Sequence, residues 1–376
     1  MRIEDKIRAE AERIGIDDLG IARGYDRMRI LDILAERRRI GWELEFEHSD
    51  IEDRTRPEKL LEDYSSIIAV AVSYNLKRAS GRDSGGILRG VMSVSAVGED
   101  YHRVVREKAE KLMESIVAEH PSKYYIGVDT SPLLDREIAA AAGIGFFGKN
   151  TSIINPELGS RIFLGYILTT LELECGTKLE DGCGSCEICV KACPTNAIQG
   201  DYTMNPRRCI AYLTQTKLKI PFELREKMGF KIYGCDVCQN ACPKNKKAKH
   251  CRAENFMSAE GLGLEHSTRV DIQKLLSMTN REFKETYGKT SSGWRGKNIL
   301  KRNAIIALGN SGDRSYVEVI RPLLKDQSKI IKEYALWSLM KLDFEGTANY
   351  IEENRELLDK ELEGEYRDIH NYLEER

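Results

Sequence analysis

Eight of the ten cysteines in this 376-residue chain fall into two similar runs. The first run, CGSCEICVKACP, ends on Pro194, and the second, CDVCQNACP, ends on Pro243 and is preceded by a single cysteine. Thiols this close along a chain can wrap one corner of a metal cluster, and the proline prevents the segment from continuing as a helix. The middle of the chain must therefore fold around these thiols. The eight residues are Cys183, Cys186, Cys189, Cys193, Cys209, Cys235, Cys238 and Cys242.

The spacing C-x₂-C-x₂-C-x₃-C-P is that of bacterial ferredoxins, in which the fourth cysteine ligates the other of two clusters. It predicts two [4Fe–4S] clusters with exchanged ligands, and such clusters carry electrons one at a time. The chain is therefore predicted to do redox work. The first ligand set is predicted to be Cys183, Cys186, Cys189 and Cys242. The second is predicted to be Cys193, Cys209, Cys235 and Cys238.

Zinc and disulfides are the alternative explanations of these cysteines. Paired C-x₂-C elements also bind zinc, although a four-ligand zinc site does not need the central run. Disulfides require an oxidising compartment. The sequence has no signal peptide and no apolar stretch long enough to span a membrane, so we expect a cytoplasmic protein without a membrane partner. The remaining Cys175 and Cys251 lack partners at ligand spacing and are expected to be ordinary thiols.

Charge is distributed unevenly, although the formal net charge is only −2. The stretch 203–250 has eleven Lys or Arg and three Asp or Glu, whereas 345–376 has eleven acidic and four basic residues. Such runs can be plain solvated faces, and part of the basic excess can compensate for cluster thiolates. The remainder is a candidate surface for a phosphate backbone.

The hydrophobic pattern predicts an α+β multidomain protein with three consecutive domains. Residues 1–174 are expected to form an α/β catalytic domain, with the strand candidates Ser66–Tyr74, Tyr124–Thr130 and Arg161–Leu173. Residues 175–250 form the ferredoxin-like 2[4Fe–4S] domain. Residues 251–376 are expected to be helical, with amphipathic segments at Lys297–Leu308, Tyr316–Leu324 and Ile330–Lys341. These C-terminal helices resemble HEAT repeats, and a plain helical bundle is the alternative.

Upstream of the cysteines, Asp129 stands where a predicted strand ends, shortly before Pro132. A carboxylate in this position commonly faces a pocket in α/β folds. The alternative is that it caps the following turn. A glycine-rich loop, GIGFFGKN, comes next and would let the main chain approach a bulky ligand. Because this loop follows a helix and not a strand, it does not match the dinucleotide-binding fingerprint.

A series of motifs from about Asp53 to Asn310 resembles one enzyme family. In chain order they are DRTRPEKLL, GEDYH, VDTSPLLDR, GIGFFGKN, PELGSRIFLG, the first cysteine run, RCIAYLTQTK, the second cysteine run and SGWRGKNILKRNAIIALGN. Together they are similar to the epoxyqueuosine reductase family, which is related to reductive dehalogenases. Either cysteine run alone would indicate only a ferredoxin-like module.

The resemblance implies a cobalamin-binding catalytic domain in residues 1–174 and a tRNA-facing helical domain in residues 251–376. The implied reaction reduces the epoxide of epoxyqueuosine, at the wobble position of the tRNA anticodon loop, to the alkene of queuosine. Electrons would come from an external low-potential donor through two [4Fe–4S] clusters to cobalamin, and we expect a monomer. A ferredoxin-type electron carrier, or a dehalogenase-like reductase acting on a small molecule, is the alternative.

The family match gives Asp129 the task of protonating the departing epoxide oxygen. A free aspartate has a pKa near ~3.9, so we expect burial against the corrin or the substrate to raise the pKa of Asp129 if it acts as an acid. Asp135 is the competing candidate. Because it stands at the start of a predicted helix, a capping function is the stronger expectation for it.

Further contacts are implied by the same resemblance. The corrin contacts would be Arg54, Ser93, Asp129, Ile153, Gln215, Asp236 and Val237. The tRNA contacts would be Lys217, Arg295, Lys297 and Arg302. Trp294 could offer a stacking face to a base or could lie in the core. Because Asp236 and Val237 stand between two cysteines of the second ligand set, we expect that cluster to be next to cobalt and the other to receive electrons first.

Overall fold

The computed structural model describes residues 2–76, 88–251 and 268–375. Among them the chain forms two compact units, each assembled from separate stretches. The first unit comprises residues 2–76, 98–207 and 236–251, and the second comprises 88–97, 208–235 and 268–375. This division differs from the three consecutive domains expected from the sequence. Residues 208–235, which were expected in the iron–sulfur domain, belong to the second unit.

In chain order, the strands of the described residues are β1 (Asp18–Ala22), β2 (Ser66–Ser73), β3 (Arg89–Met92), β4 (Tyr124–Gly127), β5 (Phe146–Phe147), β6 (Ile153–Ile154), β7 (Ile162–Thr169), β8 (Lys231–Tyr233) and β9 (Arg269–Asp271). The α-helices are α1 (Ile3–Ile14), α2 (Arg27–Arg39), α3 (Tyr101–Glu119), α4 (Asp135–Ala141), α5 (Ile188–Ala192), α6 (Ile210–Leu213), α7 (Phe222–Lys227), α8 (Val237–Ala241), α9 (Pro243–Lys246), α10 (Ile272–Ser277), α11 (Asn280–Tyr287), α12 (Lys297–Gly309), α13 (Val317–Ile320), α14 (Lys329–Leu342), α15 (Phe344–Glu353) and α16 (Lys360–Glu374).

The first unit is built on a four-stranded sheet in the order β1-β2-β7-β4. Strand β2 is a continuous run of small and β-branched residues and is buried along its whole length, as expected for a strand covered on both faces. Helix α4 packs against β1, β2 and β7, and α3 packs against α1, β4 and β7. The core therefore lies between this sheet and its helices.

The α/β expectation for residues 1–174 is corrected by the strand directions. Strand β7 pairs antiparallel with both β2 and β4, and β1 pairs antiparallel with β2. Among the described residues, all strand pairs of this sheet are antiparallel, so the unit is α+β. The apolar run of β2 misled the prediction, because burial on both faces produces the same run in either type of sheet.

The iron–sulfur segment of the first unit contributes short helices that follow its cysteines. Helix α5 packs against α8, so the peptide of the first cysteine run lies beside that of the second. Helix α9 begins at Pro243, where a proline is favourable because the first N–H of a helix has no partner within it.

The second unit combines a small sheet with a set of helices. Strand β3 lies between β8, to which it is parallel, and β9, to which it is antiparallel. Helices α12 and α14 pack closely, and the Ser338 hydroxyl donates to the Ile305 carbonyl oxygen at 2.8 Å. A Cβ added at Gly309 would lie 2.7 Å from Ser338 Oγ, so this glycine permits the close approach. Among the described residues, no helix has both the length and the hydropathy that crossing a membrane requires.

Candidate active site

Asp129 lies in the turn that follows β4, and its backbone φ of +44° is unusual for a residue other than glycine. Its Oδ2 atom accepts a hydrogen bond from the Tyr101 hydroxyl at 2.7 Å. The same oxygen lies 3.3 Å from His102 Nε2. The carboxylate therefore contacts side chains of α3 and does not cap its own turn. Its side chain remains 61% exposed, so a substrate can reach it.

The motif GEDYH explains how Tyr101 and His102 are presented. Asp100 is the N-cap of α3, and its side chain accepts from the main-chain N–H of His102 at 3.0 Å. The same carboxylate oxygen lies 2.6 Å from His102 Nδ1. The Tyr101 ring stacks on Phe163 of β7, with centroids 4.3 Å apart and planes at 4°. The first two side chains of α3 are thus held firmly beside Asp129.

These contacts make His102 positively charged and Asp129 negatively charged at neutral pH. Desolvation opposes protonation of His102, but hydrogen bonds to Asp100 and Asp129, with their charges, raise the pKa of His102 to about 9. Desolvation raises the pKa of Asp129, but hydrogen bonds from His102 and Tyr101 and the charges of His102 and Arg136 outweigh it and leave this pKa below its usual value. The expected rise of this pKa depends on burial against the corrin or the substrate and stays a prediction. The sequence did not show that an imidazolium adjoins Asp129 and lowers its pKa.

Asp135 behaves as the protonated member of the cluster. Burial and then the charge of Asp129 raise the pKa of Asp135 to about 8. Its Oδ2 atom accepts the main-chain N–H of Asp129 at 3.0 Å, whereas its buried Oδ1 has no hydrogen-bond partner among the described residues. The N-cap of α4 is Leu134, without a side-chain cap. Asp135 thus anchors the Asp129 turn, which differs from the capping function expected for it.

The first predicted ligand set comes together in the first unit. Cys183 and Cys242 share an apolar cluster with Phe146 and Ile154. Burial and then the neighbouring thiols of Cys183, Cys242 and Cys186 raise the pKa of Cys189, so the four predicted ligands interact with one another. None of the ten cysteines is joined to another in a disulfide. No group of three or more His, Cys, Asp or Glu side chains in the described part of the chain is placed to hold a single metal ion.

In the second predicted set, Cys193 follows α5 and Cys238 lies in α8. Burial raises the pKa of Cys193, but hydrogen bonds from the Thr195 hydroxyl and the Ala197 N–H outweigh this effect and lower it. The Ala197 N–H donates to the Cys193 sulfur at 3.3 Å, a contact that favours the thiolate form needed by a cluster ligand. Cys209 and Cys235 belong to the second unit. The complete second set stays a prediction.

The predicted corrin contacts have different surroundings. In the first unit, Arg54 pairs with Glu47 at 2.8 Å, and Ile153 is 2% exposed in β6, where it pairs with Phe147 of β5. Asp236 is buried and Val237 begins α8. In the second unit, Ser93 is buried and Gln215 accepts from the Tyr233 hydroxyl at 3.0 Å.

One loop of the first unit fits a ligand that carries amide groups at its rim, as a corrin does. The buried Nδ2 of Asn150 has no hydrogen-bond partner among the described residues. It precedes Thr151, whose φ is +62° and whose carbonyl oxygen accepts from Arg136 at 2.7 Å. Because buried donors are normally paired, an unpaired one beside α4 indicates a missing acceptor.

The basic residues proposed for tRNA divide into exposed and buried groups within the second unit. Lys217 is exposed, and Lys297 at the start of α12 is partly exposed. Arg302 is fully buried, and its guanidinium donates to the carbonyl oxygens of Thr216 at 2.5 Å and Leu213 at 2.8 Å. The prediction that Arg302 contacts tRNA is therefore corrected, because this side chain ties α12 to the segment after α6.

Trp294 is exposed and does not lie in the core. Half of its surface, 49%, is accessible, while its indole N–H donates to Gln215 Oε1 at 3.0 Å and to the Tyr233 hydroxyl oxygen at 2.9 Å. The Arg295 guanidinium stands 4.5 Å from the ring centroid, and its Nε donates to the Gln215 carbonyl oxygen at 2.7 Å. The ring is therefore fixed at its polar edge and covered on one face by the Arg295 guanidinium, while half of its surface stays accessible.

The partners of Asp129 were not identified as functional residues from the sequence. His102 and Tyr101 belong to GEDYH, which was recognised only as a motif. The available signal was a histidine and a tyrosine directly after an aspartate N-cap, where a helix start would present both toward a neighbouring strand end.

The fold and the site define an iron–sulfur oxidoreductase with an acid–base cluster outside the cysteine runs. The family model described as "4Fe-4S double cluster binding domain" matches residues 182–245, which confirms the prediction of two clusters over zinc. The family model described as "Epoxyqueuosine reductase QueG, DUF1730" matches residues 54–130, a range that ends just after Asp129.

Whole-chain comparisons agree with these family models. The epoxyqueuosine reductase of Bacillus anthracis is 37% identical over 355 residues, covering 93% of this chain and 92% of that protein. A crystal structure of an epoxyqueuosine reductase with an epoxyqueuosine-modified stem loop of tRNA-Tyr aligns with a TM-score of 0.91 at 35% identity over 99% of both chains. The Bacillus subtilis enzyme, solved with its catalytic aspartate loop swung out of the active site, aligns with a TM-score of 0.89 at 35% identity over 98% of both chains. The chain belongs to the epoxyqueuosine reductase family, as its motifs predicted.

Proposed function

We propose that this chain reduces the epoxide of epoxyqueuosine in tRNA to the alkene of queuosine. The observation that carries the proposal is a carboxyl group, Asp129, accessible on a turn and hydrogen bonded to an imidazole and a phenol, in a chain that also carries a double-cluster segment. An epoxide oxygen leaves readily only if it is protonated as the carbon–oxygen bond breaks, and general acid catalysis typically contributes about 10²–10⁴-fold.

Two kinds of cofactor complete the site in this proposal. Bound cobalamin would supply a strongly reducing cobalt centre beside the epoxide, and two [4Fe–4S] clusters would supply single electrons from an external low-potential donor. The residues that hold the corrin are Arg54, Ser93, Asp129, Ile153, Gln215, Asp236 and Val237, with Asn150 as an additional amide donor. The clusters are held by Cys183, Cys186, Cys189 and Cys242, and by Cys193, Cys209, Cys235 and Cys238.

The second unit is the tRNA-binding part in this proposal, and its C-terminal helices form HEAT-like pairs. An anticodon loop is single-stranded, so a protein can stack its bases on aromatic rings and contact its phosphates with Lys or Arg. Trp294 offers an exposed ring, and Arg295, Lys217 and Lys297 supply positive charge. Lys297 stands in the first turn of α12, where free N–H groups also attract phosphate.

The proposal is tested with the cluster-reconstituted protein. We expect it to retain cobalamin through gel filtration and to convert epoxyqueuosine-tRNA to queuosine-tRNA with a low-potential reductant, as measured by nucleoside mass spectrometry. Omission of cobalamin or of the reductant should abolish the product. Protein that retains no cobalamin and yields no alkene would instead be an electron carrier.

A further inference from the structure

This inference rests on the proposed reaction, which consumes two protons. One carboxyl group can supply only one proton before it must be protonated again. An epoxide, two electrons and two protons give an alkene and one water. The electrons come from the external donor, but both protons must reach the same departing oxygen. Because the pKa of Asp129 lies below its usual value, its carboxyl is ionised in the resting site at neutral pH and needs a proton source.

We propose that His102 is this proton source. Its Nε2 passes a proton to Asp129 Oδ2, 3.3 Å away, and Asp129 passes it to the departing oxygen. Asp100, 2.6 Å from Nδ1, holds the imidazolium on its other side. His102 is thus a positioning and relay residue, and Asp129 is the group that touches the substrate.

Each passage is balanced in atoms and charge. In the first passage, one carbon–oxygen bond of the epoxide breaks and its electron pair stays with the oxygen. This oxygen takes the proton of Asp129 and becomes a hydroxyl group on the other carbon. The resulting carboxylate takes the Nε2 proton of His102, and the neutral imidazole regains a proton from water, because its side chain is 30% exposed. In the second passage, the remaining carbon–oxygen bond breaks and the hydroxyl group leaves with that electron pair and a second proton as water. The two electrons from the external donor form the π bond of the alkene.

The surroundings of His102 favour this function over a purely structural one. An imidazolium near a helix N-terminus is disfavoured by the helix dipole, so it needs compensation by anions. Asp100 and Asp129 supply two carboxylates, while β7 presents the apolar Phe163 behind Tyr101. Arg136 and the Tyr101 hydroxyl act on Asp129 and keep it ionised, and Asp135, whose pKa is raised to about 8, remains neutral at pH 7. When substrate covers Asp129, its charge loses solvation and the shared proton moves onto it.

The test compares His102→Gln with His48→Gln, which changes an exposed histidine outside the cluster. Single-turnover rates of alkene formation are measured from about pH 5.5 to 9.5. We expect wild-type and His48→Gln rates to fall as pH rises through about 9, where His102 loses its proton. His102→Gln should be slower by about 10-fold or more at pH 8 but by less than about 3-fold at pH 5.5, where water protonates Asp129 directly.

A purely structural function of His102 would lower the rate equally at every pH, and this result would overturn the relay. A second measurement needs no altered residue in the site: ¹³C NMR of labelled histidine should show a wild-type His102 titration near pH 9. Titration at the ordinary value of about 6.5 would also overturn the relay. Wild-type protein that forms no alkene at any pH would instead overturn the proposed function.

Discussion

At the residue scale, the charge of the site is decided by the contact between Asp129 and His102, which are 27 residues apart in the chain. The sequence identified Asp129 through its place after a strand and its family motif. It did not show that side chains of α3 lower the pKa of Asp129 while no corrin or substrate covers it, because the sequence does not tell which side chains α3 brings to the turn. A hydrogen bond to the charged form outweighs desolvation here, and only the folded geometry shows both effects.

Asp135 gives a prediction about pH and stability. Burial raises its pKa from the ordinary value of 3.8 to about 8, so between these values the folded state binds more protons than the unfolded state and stability falls as pH rises. Asp135→Asn keeps an acceptor for the Asp129 N–H and cannot ionise. We expect the melting temperature of this variant to decrease less between pH 5 and pH 8 than that of wild type, as measured by calorimetry.

The matched control is Asp32→Asn, an exposed position in α2, which should follow wild type at both pH values. If Asp135→Asn also showed the wild-type dependence on pH, Asp135 would not be the protonated carboxyl of this cluster.

At the scale of elements, the three strands predicted for the first unit correspond to β2, β4 and β7. Each begins within one residue of its predicted start, and β2 ends one residue before the predicted limit. The strand directions were not predictable, because a doubly buried strand has the same composition in parallel and antiparallel sheets. Arg302 was misjudged for a similar reason: a basic run at a helix start does not show which of its side chains turn inward.

Cysteine variants test the ligand sets. Cys242→Ala should lower the iron content from about eight to about four atoms per chain, because it removes one ligand of the first cluster. Its paramagnetic resonance spectrum should match that of Cys189→Ala and differ from that of Cys238→Ala. Cys251→Ala, outside both sets, should keep the full iron content. A Cys242→Ala spectrum that matched Cys238→Ala would show that the ligands are exchanged differently.

The salt dependence of tRNA affinity distinguishes basic residues of the second unit that contact phosphate from those that are structural. Lys217→Gln and Lys297→Gln should each reduce the slope of log affinity for the tRNA stem loop against log salt by about 0.7–0.9, the loss of one phosphate contact. Arg302→Gln should leave this slope unchanged and lower the melting temperature, because buried carbonyl oxygens lose their charged donor. Equal slopes for Lys217→Gln, Lys297→Gln and wild type would remove both lysines from the tRNA surface.

At the scale of the whole molecule, the cysteine runs and the motif series predicted the family, and the comparisons confirm it over more than nine-tenths of the chain. The boundaries of the compact units were not predictable in the same way. Residues 88–97 and 208–235 join the helices near the C-terminus because β3 and β8 pair with each other and β3 also pairs with β9. Such pairing joins residues far apart in the chain. Hydrophobic periodicity predicts single elements and does not predict which strands pair.

The central claim is that Asp129 protonates the departing epoxide oxygen. Its most direct test compares reconstituted wild type with Asp129→Asn on epoxyqueuosine-tRNA, with cobalamin and a low-potential reductant, by nucleoside mass spectrometry. We expect Asp129→Asn to form queuosine about 10²–10⁴-fold more slowly while it retains the iron and cobalamin of wild type. Near-normal alkene formation by this variant would contradict the claim.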